Sequence, residues 1–355
     1  AQLSPPGMDQ PFVEGSVESK VGPVPRVPSA LTWKDCFGSI KARWGVGRMN
    51  FTVDPGLYAL GNPDDKTRVF VTANYKMSFD RLREALRGRD AWILVLNTNG
   101  INVWCAAGKR TFGTEELVRR IASVDLVQIV THRELILPQL SGPGIAAHQV
   151  KKLSGFKVIY GPIESTDLPL FMDAGCKATP KMRKKTFGVR ERTVLVPVEL
   201  VGTLKWSLLI MPCLFFLGGL GGDSGFWAGT LRYGLFAGVA FLCAIASGAV
   251  LTPILLPWLP GRAFSFKGLV MGIITAIWVA VFWPGDFNEW AGRAEIFAWF
   301  FLIPAISSFL AMNFTGASTY TSLSGVRKEM AWAVPLEIVG GGIGLLLWVL
   351  SLIAA

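Results

Sequence analysis

The run Ala91-Trp-Ile-Leu-Val-Leu96 passes without a break into Asn97-Thr-Asn-Gly-Ile-Asn102-Val-Trp-Cys-Ala-Ala-Gly-Lys109, and the reading of this stretch decides the fold. Six apolar residues with no polar alternation make a strand buried on both faces, suited to the middle of a parallel sheet. The segment from Asn97 to Asn102 is rich in Asn, Thr and Gly, as a loop at a strand end is. Asn102 is placed to cap a short helix and Gly108 to end it, so Trp104 and Cys105 fall in its first turn. A thiol there lies at the positive end of the helix dipole, which favours the thiolate. Two readings of Cys105 stand side by side: a functional thiolate at a strand end, and a small buried residue beside a packing Trp.

Outward from that strand, β-rich runs alternate with helical patterns. Arg68-Val-Phe-Val-Thr72, Leu126-Val-Gln-Ile-Val130, Lys157-Val-Ile-Tyr160 and Thr193-Val-Leu-Val-Pro-Val198 read as strands. Helices are expected from Ser78 to Leu86, from Thr114 to about Ser123, and over 145–153. Such alternation means βαβ units and a doubly wound parallel sheet, a Rossmann-like α/β domain. Ligands of these sheets sit beyond the C-terminal ends of the strands. Three loops are expected at that edge: 97–109, Thr131-His-Arg-Glu-Leu-Ile-Leu-Pro-Gln-Leu-Ser-Gly-Pro-Gly144, and Gly161-Pro-Ile163. They describe a broad pocket with many hydrogen-bond donors and little fixed charge, better suited to a large amide-bearing ligand than to a nucleotide. No Gly-rich phosphate fingerprint comes after the first strand, which disfavours a dinucleotide.

Further out, the chain divides by composition. Of its 35 Lys and Arg only seven lie after residue 203, as do nine of its 13 Trp, so the first part carries nearly all of the net charge of +10. Five apolar stretches, about 204–222, 232–251, 266–283, 294–313 and 332–353, have the length that crosses a bilayer. The expected architecture is therefore an α/β domain over 48–200 followed by an all-α transmembrane bundle of five helices over 201–355, with residues 1–47 largely disordered. The basic run from Lys177 to Arg192, Arg262 with Lys267, and Arg327 with Lys328 fall on one side, and Asp223, Asp286 and Glu289 on the other. The positive-inside rule puts the α/β domain in the cytoplasm and the C-terminus outside, in a multi-pass protein of the inner (cytoplasmic) membrane. The basic run reads as a contact to anionic membrane lipid in preference to nucleic acid. Residues 1–30 show no cleavable signal. The five cysteines show no C-x-x-C spacing, which argues against an iron–sulfur or zinc site built by this chain alone.

Asn102-Val-Trp-Cys-Ala-Ala-Gly-Lys109 resembles the cap-helix signature of the mercury-methylating corrinoid proteins, the HgcA family. Val71-Thr-Ala-Asn-Tyr-Lys76, Leu135-Ile-Leu-Pro-Gln-Leu140 and Ala146-Ala-His-Gln-Val150 are similar to the corrinoid domain of the corrinoid iron–sulfur protein family, and the five-span tail resembles the HgcA type. The resemblance implies a base-off corrinoid, of cobalamin type, at the strand ends, with Cys105 as the lower axial ligand to cobalt. Contacts are implied from Thr98, Asn99 and Asn102, and from Val103, Trp104, Ala106, Ala107, Gly108 and Lys109 of the cap helix. Further contacts are implied from Thr131, Leu137, Pro138, Gln139, Leu140 and Gly161. The implied activity is a corrinoid-dependent methyltransferase that passes methyl as a carbanion equivalent to Hg(II), forming methylmercury. Electron donation from the thiolate favours that direction. The implied partners are a ferredoxin-like protein with two [4Fe–4S] clusters, of the HgcB type, and a methyltetrahydrofolate-linked donor. There is no D-x-H-x-x-G motif, and His148 sits in Ala-Ala-His-Gln-Val, so histidine ligation is not supported.

Other readings keep the corrinoid and drop the chemistry, as a membrane receptor or transporter, or keep the chemistry with another soft electrophile. Few ionisable residues in the spans and no pair of related broken helices argue against transport. His132 reads as a surface or loop-bracing residue. Cys213 and Cys243 read as packing residues of the first two spans, with a thiolate relay as the alternative. Glu337 is an intramembrane acid and so a functional candidate. The polar loop 313–322 is expected to contact the α/β domain or a partner.

Overall fold

The structure, a computed structural model, describes residues 5–223, 225–283, 285–314 and 323–355. It forms two compact units, one holding the chain up to Ala42 with Val46–Thr186, the other Arg43–Gly45 with Phe187–Ala355.

The first unit is built on a seven-stranded mixed sheet. In chain order its elements are β1 (Ser16–Ser19), β2 (Gly22–Val27), α1 (Trp33–Arg43), β3 (Gly56–Leu60), β4 (Val69–Ala73), α2 (Lys76–Ala85) and β5 (Ala91–Leu96). Then come α3 (Val103–Gly108), α4 (Thr114–Ser123), α5 (Leu126–Ile129), β6 (Glu134–Leu137), α6 (Ala147–Ser154), β7 (Lys157–Tyr160) and α7 (Leu168–Asp173). The strand order is β1-β2-β3-β5-β4-β6-β7. Strands β5, β4, β6 and β7 are mutually parallel, so Leu96, Ala73, Leu137 and Tyr160 end on one edge. Strand β3 runs antiparallel to β5, pairing Gly56 with Val95, and β2 is parallel to β3.

Strand β5 matches its sequence reading residue for residue, and all six of its residues are buried. The pleat then divides the core in two. Trp92, Leu94 and Leu96 face one cluster with Val103, Ala106 and Ala107 of α3 and Leu117 and Ile121 of α4. Ala91, Ile93 and Val95 face the other, with Phe79 and Leu82 of α2 and Phe171 of α7. The sheet is thus covered on both faces, as its unbroken apolar strands require.

Several expectations are corrected. Leu126–Val130 is not a strand: Leu126–Ile129 is the helical turn α5, and Leu126, Ile129 and Val130 are buried while Val127 and Gln128 are exposed. That i, i+3, i+4 spacing is helical. The parallel strand at this point is β6, within the stretch expected to be loop. Thr193–Val198 lies inside a 31-residue helix, Val189–Gly219, where an apolar helix overrides the β propensity of its Thr and Val. The helix expected at Ser78 begins two residues earlier, at Lys76. The N-terminal segment is not disordered over its described length: β1, β2 and α1 form there, and Phe12, Val24 and Val27 are buried in the two cores.

Among the described residues the second unit contains five helices long and apolar enough to cross a membrane: Val189–Gly219, Phe226–Leu255, Phe264–Val281, Trp290–Asn313 and Gly325–Ala354, called spans one to five below. They fall on the five stretches marked in the sequence, although spans one and three end short of residues 222 and 283. Residues 315–322, most of the polar loop singled out from the sequence, lie outside the described residues.

Candidate functional site

The parallel edge gathers the turn after β4, the loop 97–102 with α3, the loop 138–146 and the loop after β7. Asn102 adopts an extended conformation as N-cap, and its Oδ1 accepts the backbone N–H of Cys105 at 2.9 Å. Three residues of α3, Val103, Ala106 and Ala107, are buried against the sheet, which fixes the opposite face outward. That outward face carries Trp104, exposed at 43%, half-buried Cys105 and Gly108. A Cβ placed on Gly108 would meet no atom within 4 Å, so the space beside the thiol is open. The Cys105 thiol is free and has no hydrogen-bond partner among the described residues.

The helix is held low over the sheet by Gly144. A Cβ there would come within 2.2 Å of the Phe112 carbonyl oxygen and 3.1 Å of Ala107 Cα, so only glycine admits this approach. Thr114 Oγ1 accepts the Ala146 N–H at 2.8 Å and locks the same loop onto α4. Pro138, Gln139 and Leu140 are half-buried beside α3, and Gln139 Oε1 accepts from Arg183 of the basic run.

The loop 97–102 depends on two residues that the sequence reading left without a role. Asn74, at the end of β4, accepts through Oδ1 from the N–H of Thr98 at 2.9 Å and of Gly100 at 3.1 Å. The Thr98 hydroxyl has one proton and two acceptors, Asn74 Oδ1 at 2.8 Å and the Ile101 carbonyl at 2.7 Å. Gly100 itself needs φ of +69° and lies against the Met49 carbonyl, where a Cβ would come to 3.0 Å. Glu116 of α4 accepts the N–H of Asn97 at 2.9 Å and pairs with Arg119 and Arg120. Burial alone would raise its carboxyl, but the Asn97 N–H and the two guanidinium groups hold it below the usual range. Asn74 stands in the Val71–Lys76 motif and Glu116 at a helix start; the signal missed was that each can reach the neighbouring loop.

The sequence-predicted residues therefore separate into three groups. Asn99, Asn102, Trp104, Cys105, Gly108, Lys109, Pro138, Gln139 and Leu140 come together at the surface of this edge. Thr98, Val103, Ala106, Ala107, Leu137 and Gly161 are its buried frame, with the Gly161 N–H bonded to the Leu137 carbonyl at 2.8 Å. Thr131 does not join them. It precedes β6, and its N–H and hydroxyl both bond the Asp65 carbonyl, at 2.8 and 3.0 Å, on the entering side of β4. The misplacement came from taking β6 for loop. His132 braces the same far edge through the Thr67 carbonyl at 2.9 Å, and His148 is exposed on α6.

Among the described residues no three His, Cys, Asp or Glu side chains converge as a metal-ligand set. A metal taken here would find one soft thiolate and bring its remaining donors with it. A flat aromatic, an open glycine and a thiol on one outward helix face fit a planar macrocycle with a thiolate-preferring metal at its centre.

Asn74→Ala is expected to loosen this site without unfolding the domain. It leaves the buried N–H groups of Thr98 and Gly100 without an acceptor, at a cost of about 1–3 kcal/mol each in the loop. Hydrogen exchange should rise at 98–100, and Asn74→Asp, which keeps the acceptor, should restore most of the protection.

Residues 45–172 match the family described as CO dehydrogenase/acetyl-CoA synthase delta subunit. The chain is 32% identical over 124 residues to the acetyl-CoA decarbonylase/synthase complex subunit gamma of Methanopyrus kandleri, covering 34% of this chain and 26% of that one. It is 30% identical over 115 residues to the subunit gamma of Archaeoglobus fulgidus, covering 32% and 24%. With subunit gamma 2 of Methanosarcina mazei it shares 31% identity over 133 residues, covering 36% and 27%. The chain thus spans about a quarter of the length of the curated relatives it matches. Residues 45–172 are thus similar to a corrinoid-protein family domain of that description, in line with the resemblance drawn from the sequence, and a helical region with five apolar candidate spans among the described residues comes after them.

Proposed function

We propose that this chain is a membrane-anchored, corrinoid-dependent methyltransferase whose methyl acceptor is Hg(II). The observation that carries the reading is Cys105: a free, half-buried thiol without a hydrogen-bond partner among the described residues, outward on a short helix directly after the central strand. When bound, the corrinoid supplies a cobalt centre able to carry a methyl group between donor and acceptor. Cys105 would hold the cobalt as a thiolate. Asn102 fixes the turn that carries it, and the buried Val103, Ala106 and Ala107 keep the helix from retreating. Trp104, Gln139 and Leu140 would lie against the macrocycle, and Asn74 with Glu116 keeps the flanking loop in place. A soft anionic donor suits delivery to a soft electrophile, which is why Hg(II) is preferred over a hard acceptor.

The reading extends to partners and place. The curated relatives are subunits of a complex, which supports delivery of electrons and methyl groups by other proteins: a ferredoxin-like protein with two [4Fe–4S] clusters of HgcB type, and a methyltetrahydrofolate-linked donor. The basic residues beside spans one, two and four support a cytoplasmic α/β domain with the C-terminus outside.

The test is turnover by the full chain, purified in detergent, loaded with a cobalamin-type corrinoid and supplied with a strong reductant, methyltetrahydrofolate with its methyltransferase, and Hg(II). Methylmercury is expected in amounts exceeding the protein. Stable corrinoid binding with no methyl transfer to Hg(II) would reduce the chain to a carrier, and failure to retain cobalt would remove the reading altogether.

A further inference from the structure

Helix α1 is turned inside out relative to an ordinary helix of a globular domain, whose apolar stripe faces the core. Its buried residues are Asp35 and Ala42. Trp33, Phe37 and Ile40, spaced i, i+4 and i+7 and so on one face, are exposed at 72%, 53% and 53%. Trp33 and Phe37 lie side by side, with ring centroids 6.4 Å apart. Val46 and Met49, in the turns after the helix, are exposed as well.

The orientation is enforced from the inward side. Asp35 Oδ1 lies 2.6 Å from Lys76 Nζ and its Oδ2 2.9 Å from Arg83 Nη2, with all three side chains buried. Thr32 donates its N–H and its hydroxyl to Asp35 Oδ2, both at 2.9 Å, which fixes the start of the helix. Rolling α1 to bury its aromatic stripe would pull Asp35 out of both ion pairs and leave buried charge uncompensated, which is strongly destabilising. The stripe therefore stays outward, and a row of exposed apolar side chains marks an interaction surface.

The charges around the stripe select its occupant. Lys34 and Lys41, seven residues apart, flank it on one side and are exposed, and Lys41 Nζ lies 5.9 Å from the centroid of the Phe37 ring. The one acid of α1 is Asp35, which is turned inward, so the outward face is apolar and cationic. Trp, Phe and Ile bordered by Lys is the composition of a helix lying in the headgroup layer of an anionic bilayer. The stripe is one residue wide and about 10 Å long, too narrow for the roughly 800 Å² per partner of a stable protein interface. A bilayer accepts such side chains singly.

We propose that α1 is an interfacial helix: Trp33, Phe37 and Ile40 enter the boundary between headgroups and acyl chains of an anionic bilayer, and Lys34 and Lys41 pair with lipid phosphates. It gives the α/β unit an attachment to the membrane of its own, besides the spans. The inference rests on reading the five apolar helices as spans, and not on the corrinoid.

The full chain in nanodiscs tests it through a nitroxide on Cys36, exposed beside Phe37, with the other four cysteines replaced by Ala. Collisions of the label are read with oxygen, which concentrates in the bilayer, and with a water-soluble nickel chelate. In discs containing phosphatidylglycerol the label should gain oxygen collisions and lose nickel collisions relative to discs of phosphatidylcholine alone. Lys34→Gln with Lys41→Gln should lower the ratio of docked to free helix by about 25-fold, at about fivefold for each lysine near an anionic surface. Trp33→Ser with Phe37→Ser and Ile40→Ser should leave the label in water in both discs. Both sets change exposed residues only, so Asp35 and its ion pairs stay in place. Loss of both kinds of collision would mean that protein, and not lipid, covers this face. That result, a label equally open to nickel in both discs, or a shift retained in both variants would overturn the assignment.

Discussion

Cys105→Ala should abolish methyl transfer to Hg(II) while leaving the domain folded. The side chain is half-buried, makes no hydrogen bond among the described residues and contributes nothing to the cap, because it is the backbone N–H of Cys105 that Asn102 holds. Removing one sulfur from an open face creates no core cavity, so thermal stability should change by less than the roughly 0.5–3 kcal/mol of an average substitution. Corrinoid should still be retained, since the loops 97–102 and 138–140 are untouched. Its visible spectrum should lose whatever feature depends on thiolate ligation. On the proposed reading the fall in methylmercury should exceed the roughly 10–100-fold that loss of an outer partner of a metal ligand costs, because the substitution would remove the ligand itself. Cys36→Ala, on exposed α1, is the matched control and should be neutral. An active Cys105→Ala protein with an unaltered spectrum would detach the thiol from the metal and with it the case for Hg(II).

What made this site legible was the coincidence of an unambiguous strand with an unambiguous cap. Strand β5 has no polar residue to confuse its period, and Asn102 with the short run to Gly108 can be little else than a capped turn. Where the apolar runs were short and β-branched, period had to be judged from four or five residues, and Leu126–Val130 was read by composition instead of spacing. Mistaking α5 for a strand displaced the next loop by one element and carried Thr131 to the wrong edge of the sheet. The helix through Thr193–Val198 shows the opposite failure, where local propensity was sound and the apolar span into which it runs prevailed.

Long-range polar contacts were the least legible part. Asn74 reaches across 24 residues to Thr98, and Glu116 across 19 to Asn97, and no periodicity marks either. The N-terminal segment was misjudged for the same reason. Its Pro, Gly and Ser content is that of a disordered chain, but its order comes from a few distant contacts. Val24 and Val27 enter the two cores, and Asp35 enters a charge cluster whose other members lie beyond residue 75.

That cluster yields the second large effect: Arg83→Ala should release α1 and the segment before it. Lys76 Nζ lies 2.6 Å from Asp35 and 2.8 Å from Asp80, and Arg83 Nε 2.9 Å from Asp80. Arg83 Nη2 is 2.9 Å from Asp35 Oδ2, an ion pair that misses hydrogen-bond direction, while Nη1 donates to the carbonyls of Pro28 and Ala30 at 2.8 and 3.1 Å. All four side chains are buried, and the two cations balance the two anions. Removing Arg83, which is fully buried, leaves two carboxylates sharing one ammonium and two carbonyls without a donor. Breaking such a pair costs about 3–5 kcal/mol. Arg83→Lys should recover only part of it, since an ammonium cannot span two carboxylates and two carbonyls at once. Hydrogen exchange at α1 amides in the full chain should accelerate by roughly 10²–10³-fold if that opening is local. The wild-type cluster should also fail in acid, and the sign comes from Asp35. Burial alone would raise its carboxyl, but Lys76 and the Thr32 donors outweigh it and hold the group far below the usual carboxylate range. A depressed folded value means that the stabilisation is fully present above the ordinary carboxylate range, about pH 4, and is lost as pH falls toward the folded value. Asp35→Asn should therefore flatten the acid limb of α1 protection. If Arg83→Ala left exchange in α1 unchanged at neutral pH, the cluster would be a passenger on a segment held by its apolar contacts alone.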